Sequence, residues 1–359
     1  MKLKIIIPAL LVFIFSCKKK EKTEEDKPPF DKQGLLVNMA DNVILPAYSD
    51  FKTSLDSLIL TYNNFKSSEL QSDFQIVKQK LHVASMRYQR ISLFEFGPAE
   101  NVIVRMNFNV FPTDTTQIKN NIASGTYSLD AASNLDAKGL PALDYLFYGY
   151  MKSETDVIAS FTASANRKQY VSDLLSDMST KLNTVISDWN SSYKNIFVNS
   201  LSTDVGSSIG FLVNQLNYEL DYLKNSKIGI PLGKKSLGIP LPDKCEAFYG
   251  AQSLDYAYET LRIIEDVYTG KSSIGFDDYL IHLEAPYNGG LLNDAIIAQF
   301  NVAKSKLKAI QNPLSTQVVS NTTVVDAAYV ELVKLLVLLK TDMPSSLGVI
   351  ITYQDGDGD

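Results

Sequence analysis

Leu174-Leu175-Ser176-Asp177-Met178-Ser179-Thr180-Lys181-Leu182-Asn183-Thr184-Val185-Ile186-Ser187-Asp188-Trp189-Asn190-Ser191-Ser192-Tyr193-Lys194-Asn195-Ile196 is the stretch that decides the fold class. Leu174, Met178, Leu182, Val185, Trp189, Tyr193 and Ile196 recur at steps of three and four, so they share one face of a long helix. The same spacing runs outward on both sides. Ile44, Ala47, Phe51, Leu55, Leu58 and Tyr62 form one stripe, and Leu70, Phe74, Val77, Leu81, Ala84, Tyr88 and Ile91 a second. Downstream come Ile209, Leu212, Leu216, Leu220 and Leu223, then Leu254, Ala257, Leu261, Ile264 and Tyr268. Ile297, Phe300, Lys304, Leu307 and Ile310 follow, and Val325, Ala328, Leu332, Leu335, Leu339 and Met343 close the set. The expected fold is all-α, two packed helical bundles.

Two irregular regions interrupt the stripes. One runs from Gly97 to Lys138, with Phe111-Pro112 and a polar stretch at Ser124–Asn134; the other runs from Ile228 to Pro242, punctuated by Gly and Pro. The long helix near Arg167 reads as the start of the second bundle. The expected division is therefore residues 34–160 for an N-terminal bundle and 161–359 for a C-terminal one.

The chain opens with Lys2 and Lys4, an apolar run from Ile5 to Phe15 too short to span a bilayer, and Ser16-Cys17. This has the form of a lipoprotein signal peptide over residues 1–17, with Cys17 the lipidated residue and a membrane anchor. Its removal takes Lys2 and Lys4 from a formal charge of −6 and leaves −8. Residues 18–33 begin Lys-Lys-Lys-Glu-Lys-Thr-Glu-Glu-Asp-Lys-Pro-Pro, with nothing apolar to bury, and read as a disordered tether. Together these place the protein at the bacterial cell envelope, on the periplasmic side or the cell surface. The acidic balance and the lack of a basic stripe interleaved with aromatics argue against nucleic acid as a partner. With Cys17 lipidated, Cys245 has no partner for a disulfide and reads as a small buried hydrophobe.

Between the first two groups of stripes lies Gly139-Leu140-Pro141-Ala142-Leu143-Asp144-Tyr145. Pro141 suits a first helical turn. Asp144 would lie in or near that turn, where amides and the helix dipole favour an ionised, outward-pointing carboxylate. An ordinary helix start explains the same residues. The segment resembles the Gly-x-His-x-x-Glu signature of the imelysin-like family, with Pro141 at the histidine and Asp144 at the glutamate. Asp41-Asn42-Val43-Ile44-Leu45-Pro46-Ala47-Tyr48 with Phe51, Phe96-Gly97-Pro98-Ala99, and Leu338–Met343 through Leu347-Gly348-Val349 with the Asp355–Asp359 tail resemble other parts of that family in order and spacing.

The resemblance implies two helical bundles with the signature segment near their junction, and a function in which iron acquisition or peptidase activity is the family association. A zinc peptidase needs about three protein ligands and an open position. The chain offers only His82 and His282, and Pro141 carries neither ligand nor proton. The expectation is a non-catalytic envelope binding protein for iron or another divalent cation, or for a small ligand, working with envelope uptake proteins; a peptidase-like hydrolase is the alternative. The resemblance assigns Gly139, Pro141, Asp144 and Tyr145 to ligand binding. Asp144, Glu219 and Glu246 are the metal candidates, chosen from carboxylates that also include Glu95, Glu100 and Asp221. Asp355-Gly356-Asp357-Gly358-Asp359 has alternating carboxylates like a calcium loop, without the downstream ligand such a loop needs.

Overall fold

Local signals in the sequence set several helix starts. Asp114 caps Thr115–Ser124 by accepting from the amides of Thr116 and Gln117, and Ser164 caps Ala165–Asp188. Ser153 and Asp156 form a capping box at Glu154–Thr162, satisfying two otherwise orphaned amide groups. The helices that carry the architecture are α1 (Leu45–Ser68), α2 (Gln71–Gln89), α3 (Thr115–Ser124), α4 (Gly139–Tyr148) and α5 (Glu154–Thr162). Then come α6 (Ala165–Asp188), α7 (Ser208–Tyr222), α8 (Ser253–Tyr268), α9 (Leu292–Lys308) and α10 (Thr322–Val337).

This is an all-α structure. Among the described residues the strands are a single two-residue ribbon, with Pro286 opposite Leu291 and Tyr287 opposite Gly290. The computed structural model describes residues 27–271 and 273–353. The Cys17 lipidation site, the signal peptide, residues 18–26 of the tether and the acidic tail from residue 354 lie outside the described residues. No helix among the described residues is long and apolar enough to cross a membrane. The described residues from Asp31 onward cluster as one compact unit.

Within it α1 lies along α2, and α6 packs on α1, α3, α4 and α5. Thus the long helix expected to open the second bundle packs against the first helices. Tyr62, Phe65, Phe74, Phe147 and Phe161 fill the space among α1, α2, α4 and α5 with tilted and edge-on ring contacts. Such pairs stabilise by about 0.5–1.5 kcal/mol each beyond the area they bury. Later in the chain α7 packs on α8, α8 on α9, and α9 on α10. Helix α8 also packs on α2 and so joins the two groups.

Most stripe residues are buried, and the exceptions have local causes. Leu70 is 58% exposed because it is the extended residue preceding α2, not part of its face. A π-helical turn at Trp189–Tyr193 inserts extra residues after α6, so Phe197 is buried where the three-four spacing selects Ile196. On α9 the buried residue is Ile296, one position before the expected Ile297.

Candidate functional site at the signature segment

Gly139 begins α4 at a φ of +75°, and a Cβ there would lie 2.3 Å from the carbonyl oxygen of Phe108. Only glycine permits that conformation and that approach together. Pro141 follows at the third helical position, buried and without an amide to satisfy.

Asp144 lies in the second turn, not the first, and it points inward: it is 6% exposed. Its Oδ2 accepts from the amide of Tyr249 and its Oδ1 from the amide of Gly250, each at 3.0 Å. Burial pushes its carboxyl up to about 7, the two amides offset part of that rise, and the charge of Glu246 adds to it. The outward, dipole-stabilised carboxylate expected from the sequence is therefore corrected. Its partners come from a loop about a hundred residues downstream, invisible to local helix rules. Gly250 is required for the same reason, since a Cβ there would lie 2.5 Å from Asp144 Oδ1. Tyr145, half-buried, sets its ring edge-on to Tyr249, with centroids 5.1 Å apart. Asp144 and Tyr145 together clamp the Tyr249–Gly250 loop.

The clamped loop carries Glu246 into a buried ionic network. Glu246 Oε1 accepts from Gln89 Nε2 at 2.9 Å and Asn109 Nδ2 at 2.7 Å, and Oε2 lies 3.0 Å from Lys227 Nζ. Lys227 also donates to Gln89 Oε1 and, at 3.0 Å, to Thr260 Oγ1. Glu219, completely buried, accepts from Ser92 Oγ at 2.7 Å and lies 3.4 Å from Arg105 Nη2. Arg105 also donates to the Ser92 carbonyl oxygen at 2.8 Å, while its backbone amide donates to both oxygens of Glu95. Burial pushes Glu95 up to about 7 although Arg105 opposes the rise. A third pair, Arg90 with Glu259 at 2.8 Å and Asp266 at 2.6 Å, links the exit of α2 to α8. Charges taken out of water are tolerated only when matched by partners of this kind.

Asp144 and Glu246 thus share one neighbourhood, and Glu219 sits with Arg105. Among the described residues no three His, Cys, Asp or Glu side chains gather in a group that could hold a metal ion. His82 stacks on Tyr256 with its Nε2 3.9 Å from Asp255, and His282 ends the helical turn Phe276–His282. Cys245 is buried and free, and burial pushes its thiol up to about 12. A cavity of about 510 Å³ opens beside Lys234, Thr322 and Asp326 and is lined by none of the signature residues.

Sequence reasoning missed Lys227, Arg105, Gln89 and Asn109. Lys227 lies in a π-helical turn, Leu223–Gly229, which rotates it inward; π-turns of this kind recur at functional sites. No local signal marked it, as Lys224, Asn225, Ser226 and Lys227 together read as a polar turn after α7.

A sequence model described as imelysin, peptidase M75, matches residues 44–341. The chain belongs to the imelysin family. Two solved structures share the imelysin fold. One is described as an iron-regulated protein A precursor from Parabacteroides distasonis, 17% identical with a TM-score of 0.75. The other is an imelysin-like protein from Psychrobacter arcticus, 16% identical with a TM-score of 0.71. Each alignment covers 90% of this chain and 97% of the solved one. A search of curated proteins gives no match.

Proposed function

We propose that this imelysin-family chain is a non-enzymatic binding protein of the bacterial cell envelope, anchored through Cys17, that holds iron or another cation for uptake. The observation that carries the reading is the state of the signature segment. Pro141 occupies the position of the family histidine, and both oxygens of Asp144 are taken by the amides of Tyr249 and Gly250. A general base or nucleophile must reach the reacting atom, and Asp144 instead holds a loop in place. Glu246, on the loop that Asp144 clamps, faces a fixed cation, Lys227, an arrangement suited to shaping a site rather than activating water. The name of the Parabacteroides relative, iron-regulated, supports the choice of metal.

Calorimetric titration of the purified protein with ferric citrate, calcium, zinc and haem tests the reading. Saturable binding of an iron species, weakened by Asp144→Ala through loss of the clamp, is expected. Absence of binding by all four would overturn it.

A further inference from the structure

The helical turns Lys32–Asn38 and Lys194–Asn199 pack side by side. Gln33 Nε2 donates to Asn199 Oδ1 at 3.0 Å, and Lys194 Nζ lies 2.5 Å from Asp41 Oδ1. Bridges from 33 to 199 and from 41 to 194 mean that the two segments run antiparallel, with Val37 level with Ile196. Both of these side chains are exposed, Ile196 by 60%. Ile196 faces outward because the π-helical turn Trp189–Tyr193 shifts the buried face to Phe197. Phe197 stacks on Phe96 and sets an edge to Trp189, so the outward isoleucine stands on a packed base. Leu201 and Val205 follow in the connection to α7, and both are exposed. Thr203 lies between them, and a Cβ on Gly348 would stand 4.0 Å from its hydroxyl. Ile350, two residues beyond Gly348, is 64% exposed at the same edge. Single exposed hydrophobes are ordinary, but a cluster of them marks a surface that meets something apolar.

We propose that Val37, Ile196, Leu201, Val205 and Ile350 form the face by which the protein rests on the lipid bilayer that holds its acylated Cys17. The proposal rests on the anchoring through Cys17 given above and adds which side of the fold meets the membrane. The folded unit begins at this edge, since Asp31 caps Lys32–Asn38 by accepting from the Gly34 amide at 2.8 Å. Asp31 follows Cys17 by fourteen residues, a reach of at most about 50 Å. The anchor therefore delivers the unit to the bilayer edge-first, with Val37 and Ile196 close to the point of attachment. A short tether also raises the effective concentration of one surface at the other to about the millimolar range. A patch too small to bind lipid unaided is then sufficient.

The chemistry of the patch fits lipid better than protein. All five side chains are aliphatic, without the Tyr, Trp or Arg that anchor protein interfaces. A stable pair of proteins buries about 800 Å² on each partner, more than five partly exposed aliphatic side chains supply. The polar groups flanking Val37 and Ile196 are matched to each other, Gln33 to Asn199 and Lys194 to Asp41, so approach to headgroups strips no lone charge there.

The test uses the full lipidated chain in vesicles of phosphatidylethanolamine and phosphatidylglycerol, with an environment-sensitive dye on a single introduced thiol. Cys245 is buried, and Cys17 is blocked by its lipid, so the dye goes to Ile196→Cys or, as a control far along α1, to Leu60→Cys. The dye at Ile196→Cys should shift to the blue and be quenched about twofold by lipids brominated on the acyl chain, as for a side chain about 5–10 Å into the headgroup boundary. The dye at Leu60→Cys should do neither. A dye on Leu201→Cys should lose its shift when Ile196→Glu is added, while the protein still floats with the vesicles. Flotation with no shift at Ile196→Cys, or with equal shifts at Ile196→Cys and Leu60→Cys, would overturn the proposal and leave the anchor standing. A shift at Ile196→Cys that appears in detergent-solubilised protein and grows with its concentration would assign the face to a second copy and overturn it as well. Failure of the wild type to float would overturn both the anchor and the face.

Discussion

Raising the pH from about 5.5 to about 8 should destabilise this protein, and Asp144→Asn should remove about half of that effect. Asp144 and Glu95 are carboxyls that burial pushes up to about 7, from 3.8 and 4.5 respectively. An acid whose folded value is raised holds its proton more tightly in the native state than in the unfolded chain. Its favourable contribution is complete below the unfolded value and is lost as pH rises through the folded one. At about 1.4 kcal/mol per pKa unit, each group costs about 2 kcal/mol between about pH 5.5 and about pH 8. The two together give a loss of about 4 kcal/mol. Carboxyls held low, such as Glu154 beside Lys78 and Glu69 beside Lys168, change protonation only in more acid solution. They set the acid limb and leave this window untouched. Urea unfolding of wild type and Asp144→Asn at both pH values is the assay. The variant should be weaker overall, because asparagine can accept from only one of the two amides at a cost of about 1–3 kcal/mol. Its change between the two pH values should nonetheless be about 2 kcal/mol smaller. A wild type whose stability is flat or rises over this window, or a variant with the wild-type slope, would refute the reasoning.

Other expectations follow from the same contacts. Gly250→Ala sets a methyl against Asp144 Oδ1, so amide hydrogen exchange over residues 245–251 should accelerate and stability fall by about 1–3 kcal/mol. Lys227→Met leaves Glu246 buried without its cation and should cost about 3–5 kcal/mol by urea unfolding, much of it recovered in the double variant with Glu246→Gln. Metabolic labelling with a palmitate analogue should mark the wild type and fail for Cys17→Ala.

The helical fold was legible because its evidence is local. Three-four spacing of Phe51, Leu55, Leu58 and Tyr62 names a buried face without knowledge of what covers it, and all four are buried. Register was lost where the helix itself changed, as at the π-turn that buries Phe197 in place of Ile196. The site was legible only in part. The spacing from Gly139 to Asp144 marked the segment, and Glu219 and Glu246 were named as acids. What they bind was hidden, since Arg105, Lys227 and the Tyr249–Gly250 amides come from segments distant in sequence. Nothing local distinguishes a carboxylate that faces water from one that holds a loop.

The claim that the signature segment holds a loop and does no hydrolysis is tested most directly by a peptide-cleavage assay. Purified wild type and Asp144→Asn would be incubated with a denatured protein substrate, with and without added zinc or iron, and new amino termini counted. The account predicts no cleavage above the buffer blank for either protein under any condition. Metal-dependent cleavage by the wild type that disappears in Asp144→Asn would contradict it.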